Sequence, residues 1–425
     1  MLAALIRLSL TQRLFILLAT LLVAAAGFNA WQQLPIDAFP DIAPTQVKII
    51  MKAPGMTAEE IERRVTYPIE TELLGIPRQV MLRSTTKYAI TSITLDFEEG
   101  TDIYWARQQV NERLAAVRTD LPATAEGGVA AMSTPLSEMF MFTLENPRLT
   151  PLQKRQLLEW TVRPALRAVP GVADVNVLGG YARTYQVTPR IERLEALGLD
   201  IETLRTAIVS NNLNTGLGRL QQGNDVFTVR AEGRLTGIAD LAAIPVPNPQ
   251  GVVYRLDELA DINVGHLARY GAVSRNGEET AEALIIALKD SNTGAVITGV
   301  KQQMAQLESS LPPGSELNVF YDRSRLIDTA INTISSALAQ AVVLVIVLLA
   351  LFLGNFRAAL VVSLSLPLAA LATFLLMDNA GLSANLMSLG GLVIAIGMIV
   401  DSSVVVVENV VSRMASNSGL PRLHI

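Results

Sequence analysis

The chain has no cysteine in 425 residues, so neither a disulfide framework nor a thiolate metal site can be built from it. Histidine is almost missing too. The two present, His266 and His424, are isolated in sequence and offer no spacing for a histidine metal cluster. Charge is thin: 17% of residues are charged, against about a quarter in soluble domains. Lys and Arg total 34 and Asp and Glu 39, a net charge of −5, so no basic excess exists for phosphate backbones and a nucleic-acid partner is set aside. No nucleophile elbow, P-loop or metalloprotease motif occurs, so nothing marks an enzyme or calls for a cofactor. What is abundant is apolar surface, 50% of the residues with a positive mean hydropathy, which places part of the chain in lipid.

Residues 386–411 form an apolar run of membrane-spanning length with one carboxylate, Asp401, well inside it. A charge at bilayer depth costs roughly 2.5 to 3.5 kcal/mol on insertion scales, so such a residue points to an ion or proton path. Gly397, Asp401 and Glu408 fall on one helix face, and Gly397 would let a second helix come close beside the carboxylate. Ser402 is assigned with Gly397 to helix packing there, and Asp401 with Glu408 to a proton relay. Two plainer readings stand beside this: Glu408 reaching headgroup water at the end of the run, and Asp401 as an interhelical hydrogen-bonding group that never titrates.

Residues 13–31 are a first span closed by Trp31, preceded by a short amphipathic helix over 1–12 that would lie on the membrane surface. The small residues Ala24, Ala25 and Ala26 mimic a signal-peptide cleavage region, but the apolar run is long for one and further spans follow. Those spans are 334–354, 358–377 and 385–411, with 412–425 an atypical tail. With four spans, Arg7, Arg13, Arg357 and Arg413 share one side, which is cytoplasmic by the positive-inside rule. The large loop between the first two spans is then outside the cytoplasm.

Within that loop a strand at 46–51, a helix at 57–74 opened by a Thr57/Glu60 capping box, a hairpin at 80–97, a helix at 102–121 and a strand at 139–144 are predicted. This order implies a small sheet with helices on one face. A second round follows with a helix at 151–168, strands at 172–178 and 283–288, a helix at 297–311 and a strand at 316–321. Residues 107–127 and 301–319 echo each other, each a Gln-rich helix before Leu-Pro, which suggests duplicated subdomains. Residues 181–271 read as an insertion and a candidate contact surface. Met132, Met139 and Met141 lie near Glu138, where a copper(I) thioether site competes with plain core filling, and Met398 precedes Asp401 by three. No metal ligands are assigned.

The segments LPIDAFPD (34–41), VTYPIETELLGIP (65–77) and above all FEEGTDIYWARQQVNERL (97–114) resemble the first half of resistance-nodulation-division efflux permeases, closer to the heavy-metal branch than to the multidrug branch. The family's fourth span carries a proton-relay carboxylate in a G-x-x-x-D segment ending in E-N, which here is Gly397, Asp401, Glu408 and Asn409. Ala395-Ile396-Gly397 stand where exporters of divalent cations commonly have Asp-Phe-Gly, and are more like the copper/silver type. Ser402-Ser403 stand where that type has Ala-Ala, which leaves the metal open.

The resemblance implies a membrane α-helical bundle, four spans present, plus a large periplasmic α+β domain of ferredoxin-like βαβ subdomains. These would be pore subdomains at 32–130 and at 131–180 with 272–333, and a docking subdomain at 181–271. It implies a multi-pass protein of the bacterial inner membrane, embedded in membrane lipid. It would be a homotrimer working with a periplasmic adaptor and an outer-membrane channel to exchange protons for a metal cation. Family members are far longer, so the expectation is a truncated amino-terminal portion. The alternatives are a multidrug permease portion or a non-transporting scaffold that only binds partners.

Overall fold

The computed structural model describes residues 9, 11–35, 37, 43–134, 136–223, 225–269, 271–289, 291–353 and 356–416. Most of the expected 1–12 helix, the 38–41 end of the LPIDAFPD motif, Gly354-Asn355 and residues 417–425 lie outside them. Helix α1, Arg13–Gln33, is apolar on every side, as a span is.

The first sheet is built from β1 (Gln46–Lys52), β2 (Gln79–Lys87), β3 (Ile90–Phe97) and β4 (Glu126–Val129), ordered β2-β3-β1-β4 and antiparallel throughout. Alternation on β1 sends Val47, Ile49 and Met51 to one face, where all three are buried. They pack against Ile61, Val65 and Ile69 of α2 and Ala106, Val110 and Leu114 of α3 (Ile103–Val117), each set recurring at helical spacing. Helix α2 runs through Ala58–Ile61, a π-helical segment Glu62–Thr66 and Tyr67–Leu73. Its start is the expected capping box, in which the Glu60 amide donates to Thr57 Oγ1 at 3.3 Å and the Thr57 amide to Glu60 Oε2 at 2.8 Å.

The second sheet repeats this plan. Strands β5 (Glu138–Glu145), β6 (Val172–Gly179), β14 (Glu278–Ala287) and β15 (Glu316–Asp322) lie in the order β6-β14-β5-β15. Helix α4 (Pro151–Leu157, π-helical Leu158–Val162, Arg163–Arg167) joins the first two in sequence, and α9 (Thr293–Glu308) the last two. Both halves are therefore β-α-β-β-α-β with one spatial order, and the echo between 107–127 and 301–319 falls on their equivalent second helices.

The repeat extends to detail. Thr150 and Gln153 form a second capping box, and in both halves the residue before a proline, Tyr67 or Arg163, donates its amide five residues back, to Glu62 or Leu158. Proline has no N–H and its ring crowds the carbonyl four residues back; a widened turn just before Pro68 and Pro164 relieves that clash.

Between β6 and β13 (Val273–Arg275) the chain makes a separate unit. Strands β7 (Arg183–Pro189) and β12 (Ala260–His266) pair along their full length at its base. It carries the short helices α5 (Ile191–Leu197), α7 (Ile238–Ala242) and α8 (Leu256–Leu259), the longer α6 (Ile201–Ser210), the paired β10 (Pro245–Pro247) and β11 (Val253–Arg255), and an outlying hairpin, β8 (Thr215–Gln222) with β9 (Asp225–Ala231). Its own small core includes Leu194, Leu204, Val246 and Leu259. The β7–β12 pair was not predicted: Ala260, Ile262 and Val264 of β12 alternate with polar residues, but its partner strand lies far back in the chain and no local pattern joins the two.

Strand β15 then passes without a linker into α10 (Arg323–Leu353). The helix begins well before the predicted 334–354 span, because its polar first turns are still helical. There the Thr329 and Thr333 hydroxyls donate to carbonyls four residues back, at 2.7 Å each. Helices α11 (Phe356–Asn379) and α12 (Leu386–Ser416) complete the four helices that, among the described residues, are long and apolar enough to cross a membrane. Helix α1 packs on α11, with Gly27 against Leu371 and the Trp31 ring 4.5 Å from that of Phe374.

Candidate functional site

Helix α12 starts from a fixed point. Asn385 Oδ1 accepts from the amides of Met387 at 3.0 Å and Ser388 at 2.9 Å, and Ser388 Oγ accepts in return from the Asn385 amide at 2.9 Å. At 1.5 Å per residue, Asp401 stands about 22 Å along the helix and Glu408 about 33 Å. A hydrocarbon core about 30 Å thick would contain the first and release the second to its boundary.

The face of α12 that meets the other helices carries Leu389, Leu392 and Ile396, all buried. Asp401, five residues after Ile396, is rotated by about 140° from it and lies exposed, as does Glu408. Among the described residues Asp401 has no hydrogen-bond or ion-pair partner. A Cβ added to Gly397 would meet nothing within 4 Å, so the close helix approach expected there does not occur among the described residues. It occurs instead at Gly27.

Ser402 lies on a different side, in an apolar groove of about 570 Å³ between α11 and α12 that it shares with Ser365, Met398 and Ser403. Its hydroxyl donates to Met398 O at 3.1 Å. The four residues selected on α12 are thus divided: Gly397, Asp401 and Glu408 on an open face, and Ser402 in the groove with Met398.

The methionines of the second sheet answer differently from one another. Met139 is fully buried in the core, whereas Met141 is half-buried opposite Leu284. Among the described residues no group of three or more His, Asp or Glu could hold a metal ion. Nearby, burial and then the Glu138 charge hold the Glu282 carboxyl above the ordinary range.

A second cluster, absent from the sequence reading, sits where the sheets meet the helices. Arg323, 6% exposed, pairs through Nη2 with Asp37 Oδ1 at 2.8 Å and donates through Nη1 to the Leu136 carbonyl. The other Asp37 oxygen accepts from Thr293 Oγ1 at 3.1 Å, and the Asp37 amide donates to Ala384 O at 2.9 Å. Next to Arg323, the side chain of the half-buried Asp322 is 3% exposed and pairs with Lys301 Nζ at 2.7 Å. Burial alone would raise its carboxyl, but the Lys301 and Ser324 bonds outweigh that and hold it low. The signal available beforehand was the Asp of LPIDAFPD, whose arginine partner lies far along the chain.

The sequence matches the model of the AcrB/AcrD/AcrF family over residues 5–425. It is 39% identical over 416 residues to the cation efflux system protein CzcA of Alcaligenes sp. (strain CT14), covering 96% of this chain and 39% of that protein. Against the cation efflux system protein CusA of Escherichia coli (strain K12), identity is 34% over 413 residues, covering 96% and 39%. The crystal structure of a heavy metal efflux pump aligns with a TM-score of 0.87 at 32% identity, over 96% of this chain and 41% of that one. The chain spans about two-fifths of the length of the curated relatives it matches.

Proposed function

The chain belongs to the AcrB/AcrD/AcrF family, the resistance-nodulation-division permeases, and from that membership we propose that it supplies part of a proton-driven exporter of heavy-metal cations. The observation that carries this reading is Asp401: a carboxylate about 22 Å into a membrane-length helix, on a face that α1, α10 and α11 leave open. Lipid is a costly neighbour for that charge, so the face is suited to further protein and to a proton. Proton binding would neutralise Asp401, remove its need for a polar partner and favour a second packing of α12; proton loss would reverse it. Glu408, at the boundary, would connect Asp401 to water.

The cargo assignment rests on relatives named for cation efflux and on the heavy metal efflux pump. The metal would cross the sheet-rich domain, placed in the periplasm of a cell whose inner membrane holds the helices. The two β-α-β-β-α-β units, each with the first strand inside and the order 2-3-1-4, support the ferredoxin-like reading of the pore subdomains. The unit between β6 and β13 would dock a partner. A homotrimer with an adaptor protein and an outer-membrane channel completes the proposal.

Metal tolerance of a sensitive bacterial host tests it. The chain joined to the remaining length of the Alcaligenes relative should raise tolerance to at least one of zinc, cobalt, cadmium, nickel, copper or silver. No rise with any of them, at normal membrane levels of the protein, overturns the heavy-metal reading.

A further inference from the structure

Strand β15 and helix α10 share no linker: Asp322 ends the one and Arg323 begins the other. Any shift of α10 is therefore delivered to the edge of the second sheet, and the Asp322–Lys301 pair delivers it to α9 as well. Arg323 adds a lateral tie. Its fork holds the Leu136 carbonyl, just before β5, and Asp37, just beyond α1. Asp37 in turn holds Thr293 at the start of α9, and its amide binds Ala384, one residue before the Asn385 cap of α12; the Ala384 amide donates back to Pro35 O at 3.0 Å. One residue thus ties four places together: the Asp37 carboxylate, just beyond the exit of α1, holds the entry of α10 and the start of α9, and its backbone amide holds the approach to α12.

The tie borders a cavity of about 570 Å³ lined by small polar groups including Thr134, Ser137, Ser291, Ser383 and Ser388. A close-packed junction has one arrangement, whereas a cavity with hydroxyls among its mostly apolar walls leaves the ion pair space and alternative hydrogen-bond partners for a second. We propose that Asp37 and Arg323 are positioning residues that form the joint through which a displacement of α12 moves the second sheet. The proposal rests on the proton-driven reading above, for which it names the mechanical link between Asp401 and the sheet. Spatial intermediacy does not establish coupling, so the test must perturb one end and read the other.

The chain contains no cysteine, so labels attach only where one is introduced. Spin labels at Leu382→Cys, on the exposed connection before α12, and Glu308→Cys, at the exposed end of α9, report the distance between bundle and sheet in lipid nanodiscs. Asp401→Asn at constant pH stands in for the protonated state without titrating other groups. The expected result is a shift of the distance distribution on Asp401→Asn that falls at least fivefold when Arg323→Gln or Asp37→Asn is added. Combining those two should reduce it no further, and Arg323→Lys should restore at least half. An undiminished shift in both variants overturns the proposal, and so does the absence of any shift in the parent. Asp37→Asn carries the comparison alone if Arg323→Gln fails to fold. Metal tolerance is read separately, so the joint can fail while export stands.

Discussion

Gly27 of α1 lies directly against the backbone of Leu371 in α11: a Cβ added there would press on the Leu371 carbonyl and come within 2.8 Å of its Cβ. Neither obstacle is the end of a flexible side chain, so α1 would have to move away. Gly27→Val is expected to cost about 1 to 3 kcal/mol, the usual range for overpacking. A lower midpoint of unfolding in detergent, with Gly397→Val nearly neutral in the same assay, is the predicted outcome; equal effects would contradict the assigned packing face.

Three hydroxyls fasten the π-helical segment of α2 to the first hairpin. Thr66 Oγ1, in a residue 1% exposed, donates to Thr91 Oγ1 at 2.9 Å and lies 3.0 Å from Thr86 Oγ1. Thr66→Val keeps the shape and leaves the buried Thr91 and half-buried Thr86 hydroxyls with only each other, at 3.2 Å. A loss of about 1 to 2 kcal/mol follows from the cost of an impaired buried hydrogen bond. Thr86→Val, at the half-buried end, should lose less in denaturant titration, and the reverse order would refute this account.

Much of the fold was readable because it is periodic. Alternation on 46–51 and 80–97, a capping box at Thr57 and apolar runs in 13–31, 358–377 and 385–411 each have a local cause, and the structure has elements at these places. The duplicated plan was half visible. The second helices echo in sequence, but strand order is a long-range property that no local pattern carries. The polar start of α10 carries no membrane signal, so the apolar run marks the span from 334 and not the helix start at Arg323. At the site, the grouping of Gly397, Asp401 and Glu408 follows from the helical repeat alone. Ser402's separate groove depends on how α11 packs, and the Asp37–Arg323 pair joins residues far apart in the chain, so neither could be inferred from spacing.

Asp322 and Glu282 are shifted in opposite directions, and pH should separate them. The Asp322 carboxyl is held low in the folded state, so its contribution is complete above the unfolded value near 4 and is lost as pH falls through the lower folded value. Asp322→Asn should therefore destabilise the chain at pH 7, by about 2 kcal/mol given one half-exposed partner, and the difference should shrink in acid. Glu282 is held high, so ionising it opposes folding as pH rises above about 4. Glu282→Gln should stabilise at pH 7 and not below pH 4. Unfolding midpoints of both variants across pH 3 to 8 check the pair of signs, and parallel curves would sink the argument.

Asp401 and Glu408 differ in depth, and their substitutions should differ in kind. On the proposed reading, a carboxylate about 22 Å into the helix would exchange a proton only through an internal path, whereas one near 33 Å would already meet water. In the chain joined to the remaining length of the Alcaligenes relative, Asp401→Asn is expected to lower metal tolerance at least tenfold while membrane levels and the unfolding midpoint hold or rise, since a charge at bilayer depth is lost. Glu408→Gln should lower tolerance less and displace its dependence on external pH, because water can partly replace the group at the boundary. The discriminating measurement is metal efflux from everted vesicles against an imposed proton gradient. Efflux by Asp401→Asn that still rises with the gradient would leave Asp401 a packing residue, and equal losses in both variants would put the two carboxylates in one relay of equal depth.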